Sequence, residues 1–494
     1  MVINTARRVN SAALLLGALM TLSLSPWNWW WIGMVSAAGL LLLLKNTSGN
    51  LFWCCFWYGM GLFGTGASWV FISIHEHGNA SVTLAATLTL LFIMAPAISF
   101  ALPMSLFRWC NKHSVTAIFV FPCLWVIAEW FRSWLLSGFP WLYFGYGFID
   151  TYLAGWAPVG GVLTISWIGI FCAAALTQAT NVQRHSTALI AYSTLMAILW
   201  IAGWYFSSLP WTSALTQNVS IGIIQPSLPL SVKWDKHKLN DILNLYQRQT
   251  RQLLEQDIIV WPESAIPQLQ HNVRDFLNGI DTLGQQSQTA IITGIPTQNS
   301  ENGRYYNSVI ALGTAKGTYH KQHLVPFGEY IPLENWLRGT IDFFDLPMSQ
   351  FSSGPENQPL IKVGALNISS AICYEIVFPE LVARSAANAE ILLTLSNDSW
   401  FGDSLGPKQH LQMARMRALE NAKPLIRATN DGLTALIDKH GKITASIPAF
   451  QRTVLTGEIT PQRGQTPFNR WQSIPIILLS LATLVFATLL NRRY

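Results

Sequence analysis

The sequence predicts two fold classes in one chain, an α-helical transmembrane bundle of eight spans and an α/β layered domain. Of the 494 residues, 51% are hydrophobic and only 11% are charged, whereas a soluble globular protein carries about 25% charged residues. The shortage of charge is concentrated in residues 11–206 and 473–491, where long apolar stretches follow one another. Residues 207–472 have the composition of a soluble protein, and strand-like apolar runs alternate there with helix-like stretches.

Eight apolar stretches have the length and composition of membrane-spanning helices, since a span needs about 20 mostly apolar residues. They lie near residues 11–25, 28–44, 51–72, 82–107, 114–131, 158–181, 186–206 and 473–491. The first two are short and are separated by Ser25-Pro26, so we interpret them as a helical hairpin. A cleaved signal peptide over residues 1–25 is the alternative, but the sequence has no A-x-A-like cleavage site there.

The distribution of Lys and Arg predicts the orientation of the chain in the membrane. When the chain is threaded through eight spans, most of the basic residues that flank the spans lie on one side of the membrane. These residues are Arg7, Arg8, Lys45, Arg108, Lys112, Arg184, Arg492 and Arg493, and Arg132 is the exception. We therefore expect a bacterial inner-membrane protein with both termini in the cytoplasm. Residues 1–206 would form a membrane domain of seven helices, residues 207–472 an extracytoplasmic domain, and residues 473–494 a last span with a cytoplasmic tail.

The distribution of charge argues against nucleic-acid binding, and the spacing of His and Cys residues argues against a metal site. The net charge of +6 does not indicate nucleic-acid binding, because no basic stripe is present and the Lys and Arg are needed for topology. The triplet His75-Glu76-His77 resembles a metal site only superficially, since neighbours on a short loop rarely converge on one ion. No CxxC or Cys/His zinc spacing occurs either, so we expect no metal.

The soluble region contains repeated strand and helix signals. The predicted strands are 219–224, 258–261, 290–295, 308–312, 366–372, 391–395, 424–428, 434–437 and 454–459. The predicted helices are 238–256, 272–286, 378–389 and 407–421. Because several strands follow one another without a helix between them, we expect mixed sheets.

Three strand ends in this region carry residues suited to acyl transfer: Glu263, Lys321 and Cys373. Cys373 is the only cysteine between residues 207 and 472, so it has no disulfide partner there. Each residue has a structural explanation, as a helix cap, a surface charge and a buried thiol respectively. Together they supply a general base, a fixed cation and a nucleophile, which is the set that transfer through a thioester requires.

The order of these residues resembles the Glu–Lys–Cys triad of the nitrilase superfamily. The likeness is carried by Trp261-Pro262-Glu263, the segment around Lys321 and Cys373-Tyr374-Glu375. Spans on both sides extend the resemblance nearly end to end, to the apolipoprotein N-acyltransferase family within that superfamily. Further matching motifs are Pro140-Trp141-Leu142 and residues 323–330, 395–402 and 410–418.

This resemblance implies an α-β-β-α sandwich over roughly residues 219–460 and a two-step reaction without a cofactor. Glu263 would take the proton of Cys373, whose thiolate attacks the acyl ester of a membrane phospholipid while Lys321 stabilises the oxyanion. The α-amine of a diacylglyceryl-cysteine lipoprotein would then attack the thioester, in the last step of lipoprotein maturation. We expect the enzyme to act as a monomer.

The same resemblance implies supporting residues around the triad. Glu329 is expected to orient Lys321, and Tyr374 and Glu375 are expected to shape the pocket beside the thiol. Trp234 either lies on a mobile arm over the site or has a plain packing role.

An aromatic loop at residues 137–146 is predicted to face outward and is too apolar for free solvent. It would lie in the membrane interface or form a wall of a lipid-accessible site. Trp141 and Tyr143 in this loop are therefore candidate lipid contacts.

Two other functions remain as alternatives. The first is a membrane-anchored nitrilase-type amidase acting on a small soluble amide, although eight spans exceed what an anchor needs. The second is a transporter or scaffold with an inert exterior domain. Transporters usually carry charged or broken helices at mid-membrane, whereas these spans have almost no charge away from their ends.

Overall fold

The computed structural model describes residues 2–110, 117–178, 186–331 and 350–493. Lys112 and Arg184, which contribute to the predicted orientation, lie outside the described residues. The chain forms two compact units. The first unit comprises Met1–Phe71, Val82–Leu209 and Arg470–Tyr494, and the second comprises Ile72–Ser81 and Pro210–Asn469.

The first unit is helical, as expected where apolar side chains surround a backbone that must satisfy its own hydrogen bonds. Its longer helices are Val2–Met20, Trp30–Asn46, Leu51–Gly66, Val82–Met104, Ala117–Arg132, Ala157–Leu176, Ser186–Ser208 and Ile474–Arg493. Among the described residues, three helical segments are long and apolar enough to cross a membrane: Val82–Cys110, Tyr152–Leu176 and Thr187–Ser208. Trp30–Asn46 and Ile474–Leu490 are shorter apolar helices. Eight spans therefore remain a prediction.

The second unit is built on β-strands, which we number in chain order. They are β1 (Ser213–Ala214), β2 (Val219–Gln225), β3 (Ile258–Val260), β4 (Ala290–Gln298), β5 (Tyr305–Gly313), β6 (Ala315–Lys316), β7 (Thr318–His320), β8 (Ile361–Val363), β9 (Leu366–Ile372), β10 (Ile391–Ser396), β11 (Leu425–Thr429), β12 (Thr434–Ile437), β13 (Ile443–Ile447), β14 (Thr453–Ile459) and β15 (Gln462–Arg463). Its longer helices are Leu239–Gln252, Arg274–Gln286, Pro379–Ala386 and Gly406–Asn421.

The strands form two large mixed sheets. One has six strands in the order β14-β2-β3-β4-β5-β7, and the other has seven in the order β13-β12-β11-β10-β9-β8-β6. The central strands β2, β3 and β4 run parallel, and so do β9, β10 and β11. The carboxyl ends of parallel strands meet at one edge of a sheet, and ligands usually bind at that edge.

Side-chain alternation explains the layering. Ile223 of β2 and Val260 of β3 join a core between the sheets that also contains Leu393 of β10. Their neighbours Ile224 and Ile259 face the opposite way, into a second core shared with the helices Leu239–Gln252 and Arg274–Gln286. Each such buried Ile or Leu contributes about 1.5–3 kcal/mol.

The other two helices complete the sandwich. Pro379–Ala386 packs against β9, and Gly406–Asn421 packs against β11, on the seven-stranded sheet. The second unit therefore has the α-β-β-α layering that the sequence led us to expect.

The segment Ile72–Ser81 packs in the second unit although residues on both sides of it belong to the first. Ser73 Oγ donates a 2.6 Å hydrogen bond to the carbonyl oxygen of Trp400. His77 Nε2 lies 2.9 Å from the carbonyl oxygen of Ser399, and its ring packs edge-on against Trp400 with centroids 5.6 Å apart. This segment thus supports the short helical turn Asp398–Phe401.

Candidate active site

The three residues that the sequence singled out follow strand ends in the second unit. Glu263 lies three positions after β3, while Lys321 and Cys373 directly follow β7 and β9. Lys321 Nζ is 3.7 Å from Glu263 Oε1, and both side chains are almost fully buried. Cys373 is near enough that both charges change the pKa of its thiol. The structure therefore brings a carboxylate, an ammonium and a thiol into one site.

Glu329 fixes the position of the Lys321 ammonium. Lys321 Nζ donates to Glu329 Oε1 at 2.9 Å and lies 2.8 Å from Glu329 Oε2. Glu329 is held in turn by the backbone N–H of Val325, 2.8 Å from Oε2. Burial lowers the pKa of Lys321, but the carboxylates of Glu329 and Glu263 outweigh it and raise the pKa above its ordinary value. Lys321 therefore remains a cation throughout the neutral range.

Glu263 is held by two hydrogen-bond donors in addition to its ion pair. Asn307 Nδ2 donates to Glu263 Oε1 at 2.8 Å, and the backbone N–H of Asn397 donates to Oε2 at 2.8 Å. Asn307 also donates to Glu329 Oε1 at 3.0 Å, so one amide orients both carboxylates. Burial raises the pKa of Glu263 above its usual value, against the opposing effect of Lys321. A raised pKa suits a general base that operates near neutrality.

Cys373 occupies a special backbone position at the end of β9. Its φ of 50° is in the left-handed region, which residues other than glycine rarely adopt. It begins the helical turn Cys373–Val377. Burial and the Glu263 carboxylate raise the pKa of the thiol, although Lys321 opposes them. The thiol is therefore protonated at rest and requires a base for activation.

Glu375 connects the lysine segment to the cysteine strand. Its Oε1 accepts hydrogen bonds from Tyr319 Oη at 2.9 Å and from the backbone N–H groups of Gln322 at 2.6 Å and His323 at 3.1 Å. Its Oε2 accepts from the N–H of Ile372 at 2.7 Å. Burial raises the pKa of Glu375 to about 7, while the backbone donors stabilise the carboxylate. Glu375 is thus fully buried, and its expected role in shaping the pocket beside the thiol remains a prediction.

Tyr374 and Trp234 are both half-buried. The Tyr374 ring packs edge-on against Phe378, with centroids 5.1 Å apart, and lies 5.9 Å from the His323 ring. Trp234 ends the short helix Leu230–Lys233, and its N–H donates to the Leu230 carbonyl at 3.1 Å. The mobile-arm role of Trp234 remains a prediction.

Trp141 and Tyr143 are buried in the first unit, each only 1% exposed. Arg132 Nη1 donates to the Trp141 carbonyl oxygen at 2.8 Å, and Tyr143 Oη donates to the Glu129 carbonyl oxygen at 3.1 Å. The Trp141 ring stacks on Phe139 with centroids 5.8 Å apart. Both side chains therefore contact other parts of the protein, and lipid contact remains a prediction for them.

A buried polar network behind Cys373 was not assigned a role from the sequence. Asp398 Oδ2 accepts from Arg427 Nη2 at 2.6 Å, and its Oδ1 accepts from Ser396 Oγ at 2.6 Å. Ser396 Oγ is also 3.5 Å from Cys373 Sγ, and His410 Nε2 donates to the Cys373 carbonyl at 3.1 Å. Although burial raises it, Arg427 and His410 bring the pKa of Asp398 far below its usual range. This network fixes the backbone that carries the thiol.

The histidine triplet that resembled a metal site makes other contacts. In the part of the chain that the structure describes, no three His, Cys, Asp or Glu side chains are arranged to hold one. His75 Nδ1 lies 2.8 Å from the Ala80 carbonyl, and His77 contacts the Ser399 carbonyl, so both rings of the histidine triplet bind backbone oxygens.

Gly294 on β4 lets the Glu263 turn approach the sheet closely. A Cβ atom there would lie 2.7 Å from the Pro262 carbonyl oxygen and 2.8 Å from Glu263 Cα. Gly294→Ala must therefore displace Glu263, the candidate base, and a shift of about 1 Å can lower a rate about 100-fold. We expect a loss of that size in the initial acylation rate of Cys373. Acylation at the wild-type rate would show that the turn tolerates displacement.

Gly279→Ala is the matched control. Gly279 lies in the helix Arg274–Gln286, and a Cβ atom there meets nothing within 4 Å. We expect this variant to acylate at the wild-type rate and to be stabilised by about 0.5–1 kcal/mol, because alanine favours a helix over glycine. Thermal unfolding measures this second effect.

Comparison with known proteins identifies the family. Residues 220–467 match the carbon-nitrogen hydrolase family, and residues 16–175 match the apolipoprotein N-acyltransferase N-terminal domain. An apolipoprotein N-acyltransferase of Pseudomonas syringae pv. tomato is 44% identical over 494 residues, covering 98% of this chain and 97% of the relative. One from Azotobacter vinelandii is 43% identical, covering 98% and 95% of the two chains.

A more distant relative of the same name, from Coxiella burnetii, is 39% identical over 94% of this chain and 96% of its own length. Among solved structures, a nitrilase-superfamily protein of Saccharomyces cerevisiae is 19% identical, covers 53% of this chain and 97% of its own, and has a TM-score of 0.39. The long relatives and the two matched domains agree, and the chain belongs to the apolipoprotein N-acyltransferase family.

Proposed function

We propose that this chain transfers a fatty acyl group from a membrane phospholipid to the α-amine of the N-terminal diacylglyceryl-cysteine of a lipoprotein. The acyl group would pass through a thioester on Cys373. Family membership supports the reaction. The observation that carries the mechanism is the 3.7 Å approach of Lys321 Nζ to Glu263 Oε1 beside the strained Cys373 turn.

In the first half-reaction, Glu263 takes the proton of the Cys373 thiol and the thiolate attacks the ester carbonyl of the donor. Negative charge develops on the carbonyl oxygen as the tetrahedral intermediate forms. Lys321 and the backbone N–H groups after Cys373 stabilise that charge, and each such donor contributes about 3–4 kcal/mol. The intermediate collapses, the lysophospholipid takes the proton from Glu263 and leaves, and a thioester remains.

In the second half-reaction, the lipoprotein amine attacks the thioester carbonyl. Glu263, again ionised, accepts the proton that the amine loses, and Lys321 again faces the developing oxyanion. The amide forms as the carbon–sulfur bond breaks, and the proton returns to Cys373. The same two charged residues therefore serve both halves of a ping-pong cycle.

Membrane attachment fits these substrates. Bringing each CH₂ of an acyl chain into water costs about 0.8 kcal/mol, so the thiol must operate close to the bilayer. We assign residues 1–206 to seven spans, 207–472 to an extracytoplasmic catalytic domain, and 473–494 to a last span with a cytoplasmic tail. Both termini are then cytoplasmic, and the monomer acts at the outer surface of the bacterial inner membrane. The long apolar helices of the first unit support this arrangement.

An acyl-trapping experiment tests the proposal. The purified protein is incubated in detergent with a phospholipid labelled in its acyl chain, and the Cys373 peptide is analysed by mass spectrometry. We expect a stoichiometric acyl adduct that hydroxylamine removes and that a diacylglyceryl-cysteine peptide discharges to an N-acyl product. A membrane-anchored amidase, the other use of such a site, would leave Cys373 unlabelled by phospholipid and become acylated by a small amide instead.

A further inference from the structure

Lys233 is a second buried lysine beside the candidate base. Its side chain is fully buried at the end of the short helix Leu230–Lys233. Lys233 Nζ donates a 2.9 Å hydrogen bond to the backbone carbonyl oxygen of Glu263. The sequence drew attention to the neighbouring Trp234, but the lysine before it is the residue that reaches the catalytic turn.

A buried ammonium is costly unless anions compensate it. Burial lowers the pKa of Lys233 to about 8, and the anions that oppose this effect are Glu263, Asp431 and ionised Cys373. Asp431, which accepts a 2.6 Å hydrogen bond from Ser399 Oγ, has its own pKa raised by burial to about 6. Lys233 is thus charged at neutral pH and lies within electrostatic range of the base and the nucleophile.

The Lys233 ammonium changes the balance of charge around Glu263. Glu263 and Glu329 are two carboxylates, and Lys321 supplies one positive charge between them. Asn307 contributes only a neutral amide. Without a further cation the group carries an excess negative charge, and when Glu263 takes the thiol proton one negative charge moves from its carboxylate to the Cys373 sulfur. Lys233 supplies a second cation, which offsets part of this excess negative charge.

We propose that Lys233 is a positioning residue that fixes the Glu263 turn through its carbonyl and electrostatically favours removal of the proton from the Cys373 thiol. This role rests on the proposed acyl-transfer function. It can be tested separately, because the reactivity of the Cys373 thiol can be measured without any acyl donor. Lys233 also ties the segment that carries Trp234 to the turn that carries the base.

The experiment measures the rate at which iodoacetamide alkylates Cys373 between about pH 6 and pH 10, by peptide mass spectrometry on the full-length protein. We expect Lys233→Met to react about tenfold more slowly than wild type near pH 6.5, which corresponds to one pKa unit. Above about pH 8.5 wild-type Lys233 itself loses its proton, so the two rates should converge. A merely structural defect would lower the rate by the same factor at every pH.

Lys233→Arg provides a second test, since arginine keeps its charge over this range. It should match wild type near pH 6.5 and react faster than wild type above about pH 8.5. Lys238→Met is the matched control, because Lys238 is an exposed residue paired with Asp241 at 3.6 Å. It should follow wild type at every pH.

A constant ratio of wild-type to Lys233→Met rates across the pH range would overturn the proposal, and so would a ratio of one. If Lys233→Met fails to fold, the proposal is overturned instead when the alkylation rates of Lys233→Arg and wild type coincide above pH 8.5. Absence of a phospholipid-derived thioester in wild type would refute the proposed function and leave this result standing.

Discussion

Cys373→Ala is expected to abolish acyl-enzyme formation, with a fall of at least about a thousandfold to the detection limit. No other side chain at the site can form the thioester, and loss of a nucleophile removes most of the rate enhancement of covalent catalysis. The variant should still fold, because Cys373 is only partly buried and alanine leaves the His410 hydrogen bond to its backbone carbonyl in place. The measurement is acyl trapping with labelled phospholipid, combined with thermal unfolding in detergent.

Cys110→Ala is the control for this experiment, since Cys110 belongs to the first unit. It removes a buried thiol of the same chemistry and should leave acyl trapping at the wild-type level. A hydroxylamine-sensitive acyl group on Cys373→Ala would eliminate Cys373 as the nucleophile and point to another thiol of the chain.

Glu263→Gln is expected to slow thioester formation by about 10²–10⁴-fold, the usual contribution of a general base. Glutamine has nearly the same shape and can still accept the Asn307 hydrogen bond through its amide oxygen, but it cannot accept the thiol proton at neutral pH. Lys321 keeps its contact with Glu329 at 2.8 Å, so the buried cation remains paired. Single-turnover acylation measures the effect, and a wild-type rate would remove Glu263 from the mechanism.

The pH dependence provides a further check on Glu263. Because burial raises the pKa of this carboxyl, wild-type acylation should decline as the pH falls through that raised value and protonates the base. Glu263→Gln should lose this acid limb. Glu458→Gln is the matched control, since Glu458 is an exposed carboxylate on β14 that accepts a hydrogen bond from Asn218. It should keep both the rate and the profile.

The strands of the second unit were predictable because their apolar residues are concentrated and β-branched. The run at 366–372 and the run at 434–437 correspond residue for residue to β9 and β12. The edge strand β13 was missed, since most of its side chains are exposed and no apolar face marks it. The strands β6 and β7 were missed because they are only two and three residues long and, unlike the equally short β3, contain polar residues.

Lys321 follows β7, which was not predicted as a strand, and it was chosen with the segment that carries the family resemblance. The candidates Glu263 and Cys373 could be found from the sequence because each follows a predicted strand. Asn307 could not, since it lies within β5, and its contact with both carboxylates depends on how β5 pairs with β4 and β7. Lys233 looks like an ordinary surface lysine until the fold places it on the Glu263 carbonyl. Asp398 does follow a strand, β10, so the same strand-end criterion, applied more widely, would have selected it.

The four hydrogen bonds of Glu375 have a consequence for how the enzyme tolerates change. Lys321 follows a strand of one sheet and Cys373 follows a strand of the other, so their separation would otherwise vary with the spacing between the sheets. The Glu375 carboxylate fastens both loops directly to each other. Substitutions that swell or shrink the core between the sheets can then alter stability while the distance from ammonium to thiol stays constant. Substitutions can therefore accumulate in the core between the sheets without changing the geometry of the reacting atoms.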